Sequence, residues 1–150
     1  HRSREQDVLF ESWPSSGLRP YQFEEEIETI GRVRWTIQEL LSSWELSAEG
    51  RALDHCVVSY SNQCADGKTS IWSIALQRWG RERRENVLTV AVDVKSKAIT
   101  QARGRCNMQP DGKSSKKQQR EGLGSYATLL NRSSHILKLW AAREQLSRDN

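Results

Sequence analysis

Two hydrophobic periods run through this chain, and the change between them divides it. In the first half apolar residues recur at helical spacing. Phe23, Ile27 and Ile30 lie on one side of the acidic run Glu24, Glu25, Glu26 and Glu28, which predicts a short amphipathic helix ended by Gly31. Val33, Trp35 and Ile37 alternate with Arg34 and Thr36, the period of a short strand. Ser42 and Ser43 are good N-caps for a helix with Leu46 and Leu53 on its apolar face, and Glu45 and Glu49 favour its positive end. Gly50 weakens that helix by about 1 kcal/mol relative to alanine. Cys56, Tyr60 and Cys64, four residues apart in turn, predict a second helix over 55–65, stopped at Asp66-Gly67.

Beyond Gly67 the period falls to two. Trp72, Ile74 and Leu76 form one alternating set, and Leu88, Val90, Val92 and Val94 form another. Lys95-Ser96-Lys97 turns the chain into a third strand, Ala98–Arg103, ended by Gly104. Residues 109–125, rich in Gln, Lys, Ser and Gly, read as an exposed loop. A helix near 134–147, capped by Ser133 or Ser134, carries Ile136, Leu137, Leu139, Trp140 and Ala141. The expected fold is α+β: a helical N-terminal half, a three-stranded antiparallel meander and a C-terminal helix packed on the sheet. Residues 1–32, with Pro14, Pro20 and the acidic helix, read as a lead-in segment, and 33–150 as one domain.

Composition adds charge to this outline. The chain has 150 residues and a formal net charge of +4, but residues 1–75 are net acidic and residues 76–150 strongly basic. That asymmetry points toward nucleic acid or another anionic surface, against the alternative of basic loops that serve solubility. No apolar run approaches the ~20 residues of a membrane helix, so no membrane partner is expected. Six tryptophans stand out, most of them expected as core anchors.

Chemistry-bearing clusters are few. His55, Cys56, Cys64 and Cys106 suggest zinc, but a helix over 55–65 would hold Cys56 and Cys64 about 12 Å apart along its axis, too far to share an ion. No metal site and no cofactor is expected. The common phosphate-cradle and hydrolase motifs are missing. Gln101, Arg103, Arg105 and Asn107 follow at strand spacing and, if the strand persists, project from one face as phosphate or base-edge ligands or as a solvated surface. Arg78, Arg81, Arg83 and Arg84 flank Trp79, and Lys113, Lys116 and Lys117 lie in the later loop; basic residues around an aromatic suit a nucleic-acid backbone.

Glu49-Gly50-Arg51-Ala52, His55-Cys56-Val57-Val58-Ser59-Tyr60, Cys64-Ala65-Asp66-Gly67, Ser70-Ile71-Trp72-Ser73-Ile74, Gln101-Ala102-Arg103-Gly104-Arg105-Cys106-Asn107 and Leu139-Trp140-Ala141-Ala142-Arg143 together resemble the PcfJ-like family. The family is named after a protein that a conjugative plasmid needs for transfer. The resemblance implies a bacterial, cytoplasmic, mobile-element setting and supplies no reaction. By position it singles out His55, Tyr60, Ser70, Gln101, Gly104 and Asn107. The family pattern has a glutamate where Ala91 stands here, which favours binding over catalysis.

The leading expectation is a non-catalytic nucleic-acid-associated module of a mobile-element or defence protein. Its contacts to DNA or RNA would be Arg78, Trp79, Arg81, Arg83, Arg84, Arg103, Arg105, Lys113, Lys116 and Lys117. One alternative is an enzyme, degenerate or intact, acting on a nucleotide or nucleic acid through His55, Tyr60, Gln101 and Asn107. Another is a protein-interaction module that docks a partner, or another domain of a parent chain, on the acidic 24–28 segment.

Overall fold

The computed structural model describes residues 9–110 and 124–148. These form a six-stranded sheet ordered as in the sequence. Strands β1 (Tyr21–Ile27), β2 (Gly31–Leu40), β3 (Thr69–Arg78), β4 (Arg84–Asp93) and β5 (Ala98–Arg103) pair antiparallel in succession, and the two-residue β6 (Ser147–Arg148) adds in parallel beside β5. Helix α1 (Ser43–Leu53), the short α2 (Ser61–Ala65) and α3 (Gly124–Glu144) complete the architecture.

The α+β content stands, but the predicted arrangement does not. The first half opens with strands, and the meander runs through five antiparallel strands rather than three. The acidic segment is β1, not a helix. Tyr21, Phe23, Glu25 and Ile27 point to the covered side, and Gln22, Glu24 and Glu26 to solvent. Period two and the helical i, i+4 spacing both fit Phe23 and Ile27. Tertiary contacts decide for the strand, because the inward Glu25 is met by Arg132 of α3 and by the Trp35 indole N–H at 2.8 Å. Burial pushes the Glu25 pKa up, but those bonds outweigh it and hold it below the ordinary value.

Of the predicted helix over 55–65, only its last five residues, Ser61–Ala65, are α-helical. Asp54 takes a left-handed conformation that ends α1, and the chain continues through a 3-10 turn, Val58–Tyr60, before α2. Cys56 is exposed and Cys64 buried, so the two do not share one helical face. Burial pushes the Cys64 thiol up to about 12, the behaviour of a small hydrophobe rather than a ligand.

Both faces of the sheet are covered. On one, Trp72, Ile74, Val90 and Val92 pack with Leu130, Ile136, Leu137 and Trp140 of α3, the Trp72 and Trp140 rings 4.7 Å apart. On the other, the intervening Ile71 and Ala91 pack with Leu46 of α1, Val57, Cys64 and Trp13. Four tryptophans (Trp13, Trp35, Trp72 and Trp140) are core residues, while Trp44 and Trp79 are exposed.

Gly50 has a packing reason absent from the sequence. A Cβ there would lie 2.6 Å from the backbone carbonyl oxygen of His55. Gly50→Ala should therefore lose stability, although alanine gains about 1 kcal/mol in helix propensity. Overpacking against a backbone atom costs about 1–3 kcal/mol. Denaturant titration checks this, and a stabilised variant would contradict it.

Candidate functional site

The site begins with a buried carboxylate. Ser42 caps α1 by accepting from the Glu45 amide at 3.2 Å, and its hydroxyl donates back to Glu45 Oε2 at 3.0 Å. Glu45 also accepts from the Leu41 backbone N–H at 3.3 Å, and these contacts fix the entry of the helix. Leu46 and Leu53 face the sheet, and Glu49, three residues after one and four before the other, lies on the same stripe. Glu49 is only 2% exposed. Three donors meet it: the Ser73 hydroxyl at 2.8 Å, the Asn86 amide at 2.6 Å and the Thr89 hydroxyl at 2.6 Å. Ser73 and Thr89 face each other across β3 and β4. Burial raises the Glu49 pKa above its ordinary value, opposed by those three bonds and by the charge of Arg84.

Thr89 links this carboxylate to His55. The His55 Nε2 lies 2.9 Å from the Thr89 hydroxyl oxygen. That hydroxyl has one proton; when it gives that proton to an ionised Glu49, it acts toward His55 as acceptor. Burial lowers the His55 pKa below its ordinary value, against the opposing pull of a hydrogen bond to its own backbone and of the Asp54 charge. The imidazole is thus held neutral.

His55 lines an open cleft with Tyr60, Thr89, Gln101, Arg103 and Asn107. The four residues of the enzyme alternative are brought together here, with the Tyr60 hydroxyl donating to Gln101 Oε1 at 3.1 Å. Ala91 lines the same cleft. The cleft holds about 30 Å³, where one water needs roughly 10–15 Å³. Ser70 lies elsewhere, buried, and accepts from the Trp72 indole.

The strand expected to carry Gln101, Arg103, Arg105 and Asn107 on one face stops at Arg103. The chain then turns, with Cys106 and Asn107 at positive φ and the Asn107 amide donating to the Gly104 carbonyl. Gly104 permits this turn by close approach: a Cβ would lie 2.3 Å from the Tyr126 hydroxyl, which accepts from the Arg105 amide and donates to the Val87 carbonyl. The turn divides the four residues. Gln101, Arg103 and Asn107 stay at the cleft, and Arg105 passes to a second depression.

That depression is an open groove of about 490 Å³ lined by Arg78, Arg81, Arg83, Arg84 and Arg105. The turn carrying Arg81 is held by Gln77, whose amide donates to the Arg81 and Glu82 carbonyls. Arg78 pairs with Glu85 at 2.7 Å, which raises the Arg78 pKa. Arg84 donates to Gln38 and Thr36, and the Arg105 guanidinium lies 4.5 Å from the Tyr126 ring centre. Among the described residues, Arg81, Arg83 and Arg105 make no ion pair. The acidic β1 does not neutralise the groove, because Glu24 pairs with Arg32 and Arg34, and Glu25 with Arg132. Trp79, 72% exposed, is not among the residues that line the groove; its neighbour is Arg32, 6.0 Å from the ring centre. Lys113, Lys116 and Lys117 lie outside the described residues.

Glu49, Thr89 and Asn86 were absent from the candidates read from the sequence. The usable signal was positional: an acidic residue on the Leu46/Leu53 stripe must be buried, and a buried carboxylate needs donors.

By linkage, a folded pKa above the unfolded value near 4.5 means that the folded chain binds this proton more readily. The contribution of Glu49 to stability therefore falls as pH rises from about 4.5 through its folded pKa. Glu49→Gln removes that dependence, so the variant's stability relative to the native chain should rise across this window. Denaturation at a series of pH values measures it, and a difference that is constant or falls with pH would contradict the burial argument.

Comparison with known proteins agrees with the motifs. No curated protein and no solved structure matches the chain. The family model described as PcfJ-like protein matches residues 19–119, a span that includes the Glu49–Thr89–His55 chain, the cleft and the groove arginines. The chain belongs to the PcfJ-like protein family.

Proposed function

We propose that this chain is a nucleic-acid-binding module, non-catalytic, and part of a bacterial mobile-element or defence protein. The observation that carries the reading is the gathering of five guanidinium groups from two separate chain segments around one groove. Guanidinium groups grip phosphate through planar paired donors. At about 490 Å³ the groove falls in the ligand-site range of roughly 300–1,000 Å³. The cleft at His55 is too small for a nucleotide, which weighs against the enzyme alternative despite the polar chain behind it. The protein-docking alternative loses support because Glu24 and Glu25 are engaged within the fold. The mobile-element setting rests on the family.

Arg78 is committed to Glu85, which leaves four arginines for phosphates. Single-stranded nucleic acid should then bind with a log–log salt slope near −3, at about −0.7 per phosphate. The double substitution Arg81→Ala, Arg83→Ala should weaken binding and reduce the slope by about 1.4. Fluorescence anisotropy across a salt series checks both values. Absent binding, or binding indifferent to salt, would overturn the proposal.

A further inference from the structure

The arginine groove does not end at Arg84. That residue, with Ala52 and Asn86, also lines a further depression of about 330 Å³, so the two form one continuous groove. The further part lies along α1. Glu45, Ala48 and Ala52 fall three and four residues apart on one stripe of the helix, and Gln38 and Leu40 of β2 line the same space.

The two parts differ in charge. Five arginines line the first, and its one carboxylate, Glu85, is taken by Arg78. In the second, Arg84 is the one basic residue in the lining, against the carboxyls of Glu45 and Glu49. Phosphate is therefore favoured in the first part, and the second suits an uncharged portion of the same strand. At about 330 Å³ it has room for a flat ring, which the cleft at His55 lacks. Leu40, Ala48 and Ala52 supply apolar surface for the face of that ring.

The hydrogen-bonding capacity left over describes the ring's edge. Gln38 is exposed and spends its carbonyl oxygen on Arg84 at 3.1 Å, which leaves its amide N–H groups to donate. Glu45 is exposed as well. Its carboxylate accepts from the Leu41 amide and the Ser42 hydroxyl, and a carboxylate has roughly four acceptor sites. A donor and an acceptor together complement an amine beside a ring nitrogen, the edge of cytosine and of adenine. In uracil and thymine the lone ring N–H lies between two carbonyl oxygens, which a carboxylate repels.

We infer that this end of the groove receives a nucleobase bearing an exocyclic amine, so that the chain prefers such bases to uracil or thymine. The inference rests on the groove reading given above. Arg84 holds a phosphate at the junction, Glu45 accepts from the amine of the neighbouring base, and Gln38 donates to its ring acceptor.

The test is anisotropy with single-stranded oligomers of deoxycytidine and of deoxyuridine, equal in length, across one salt series. These bases have the same ring size and exchange an amine for a carbonyl. The cytosine oligomer should bind about tenfold tighter, the scale of one base-edge contact. Glu45→Gln should bring the ratio toward one. Ala48→Trp, on the exposed side of α1, fills the base site and should abolish the preference while leaving the salt slope unchanged. Equal affinity of the native chain for both oligomers, with the salt slope intact, overturns the base site and leaves the groove reading standing. A preference that survives Ala48→Trp, or a salt slope that falls with it, also overturns the base site. Salt-independent or absent binding of both oligomers removes the groove reading, and this inference with it.

Discussion

A carboxylate buried between a helix and a sheet constrains everything around it. Left without donors, Glu49 would cost several kcal/mol; with Ser73, Asn86 and Thr89 it becomes a fixed joint between α1 and the two central strands. The joint sets where α1 ends, because Gly50 must let the His55 carbonyl pass and Asp54 must turn left-handed. Those local features place His55 against Thr89. The geometry of the cleft thus follows from one polar contact network rather than from the apolar packing alone.

The same network explains how two sites stand side by side. Asn86, a donor to Glu49, also lines the arginine groove, and Thr89, another donor, lines the cleft. Arg84 lies close enough to influence the Glu49 pKa. One buried carboxyl group therefore has the basic surface on one side and the His55 imidazole on the other. The acidic strand β1 stays out of this arrangement, since its inward carboxylate holds α3 and its outward Glu24 holds the arginines of β2.

Much of the central sheet was legible in the sequence because β-branched alternation is hard to misread. The Ala98–Arg103 strand and the Ser42 cap appear where the pattern put them. The failures are physical. Tyr21–Ile27 satisfies both periods over so short a span, and only the partner of Glu25 breaks the tie. The 55–65 segment has helical spacing, but the left-handed Asp54 is set by the close passage of the chain at Gly50. Two-residue β6 carries no pattern, and its pairing beside β5 comes from where α3 delivers the chain. At the site, Arg78 to Arg84 were legible as a local cluster, whereas Arg105 joins them only through the turn after Gly104. His55, Tyr60, Gln101 and Asn107 were legible through the family motifs. Glu49 and Thr89 were not singled out, since each looks ordinary until helix and strand are stacked.

The central claim is that Glu49 is a buried carboxyl group joining α1 to the two central strands. Carbon-13 NMR of the glutamate side chains across a pH series reads its surroundings directly. The account predicts that Glu49 titrates above the ordinary value near 4.5. Titration at or below that value, as for a carboxylate in water, would contradict it.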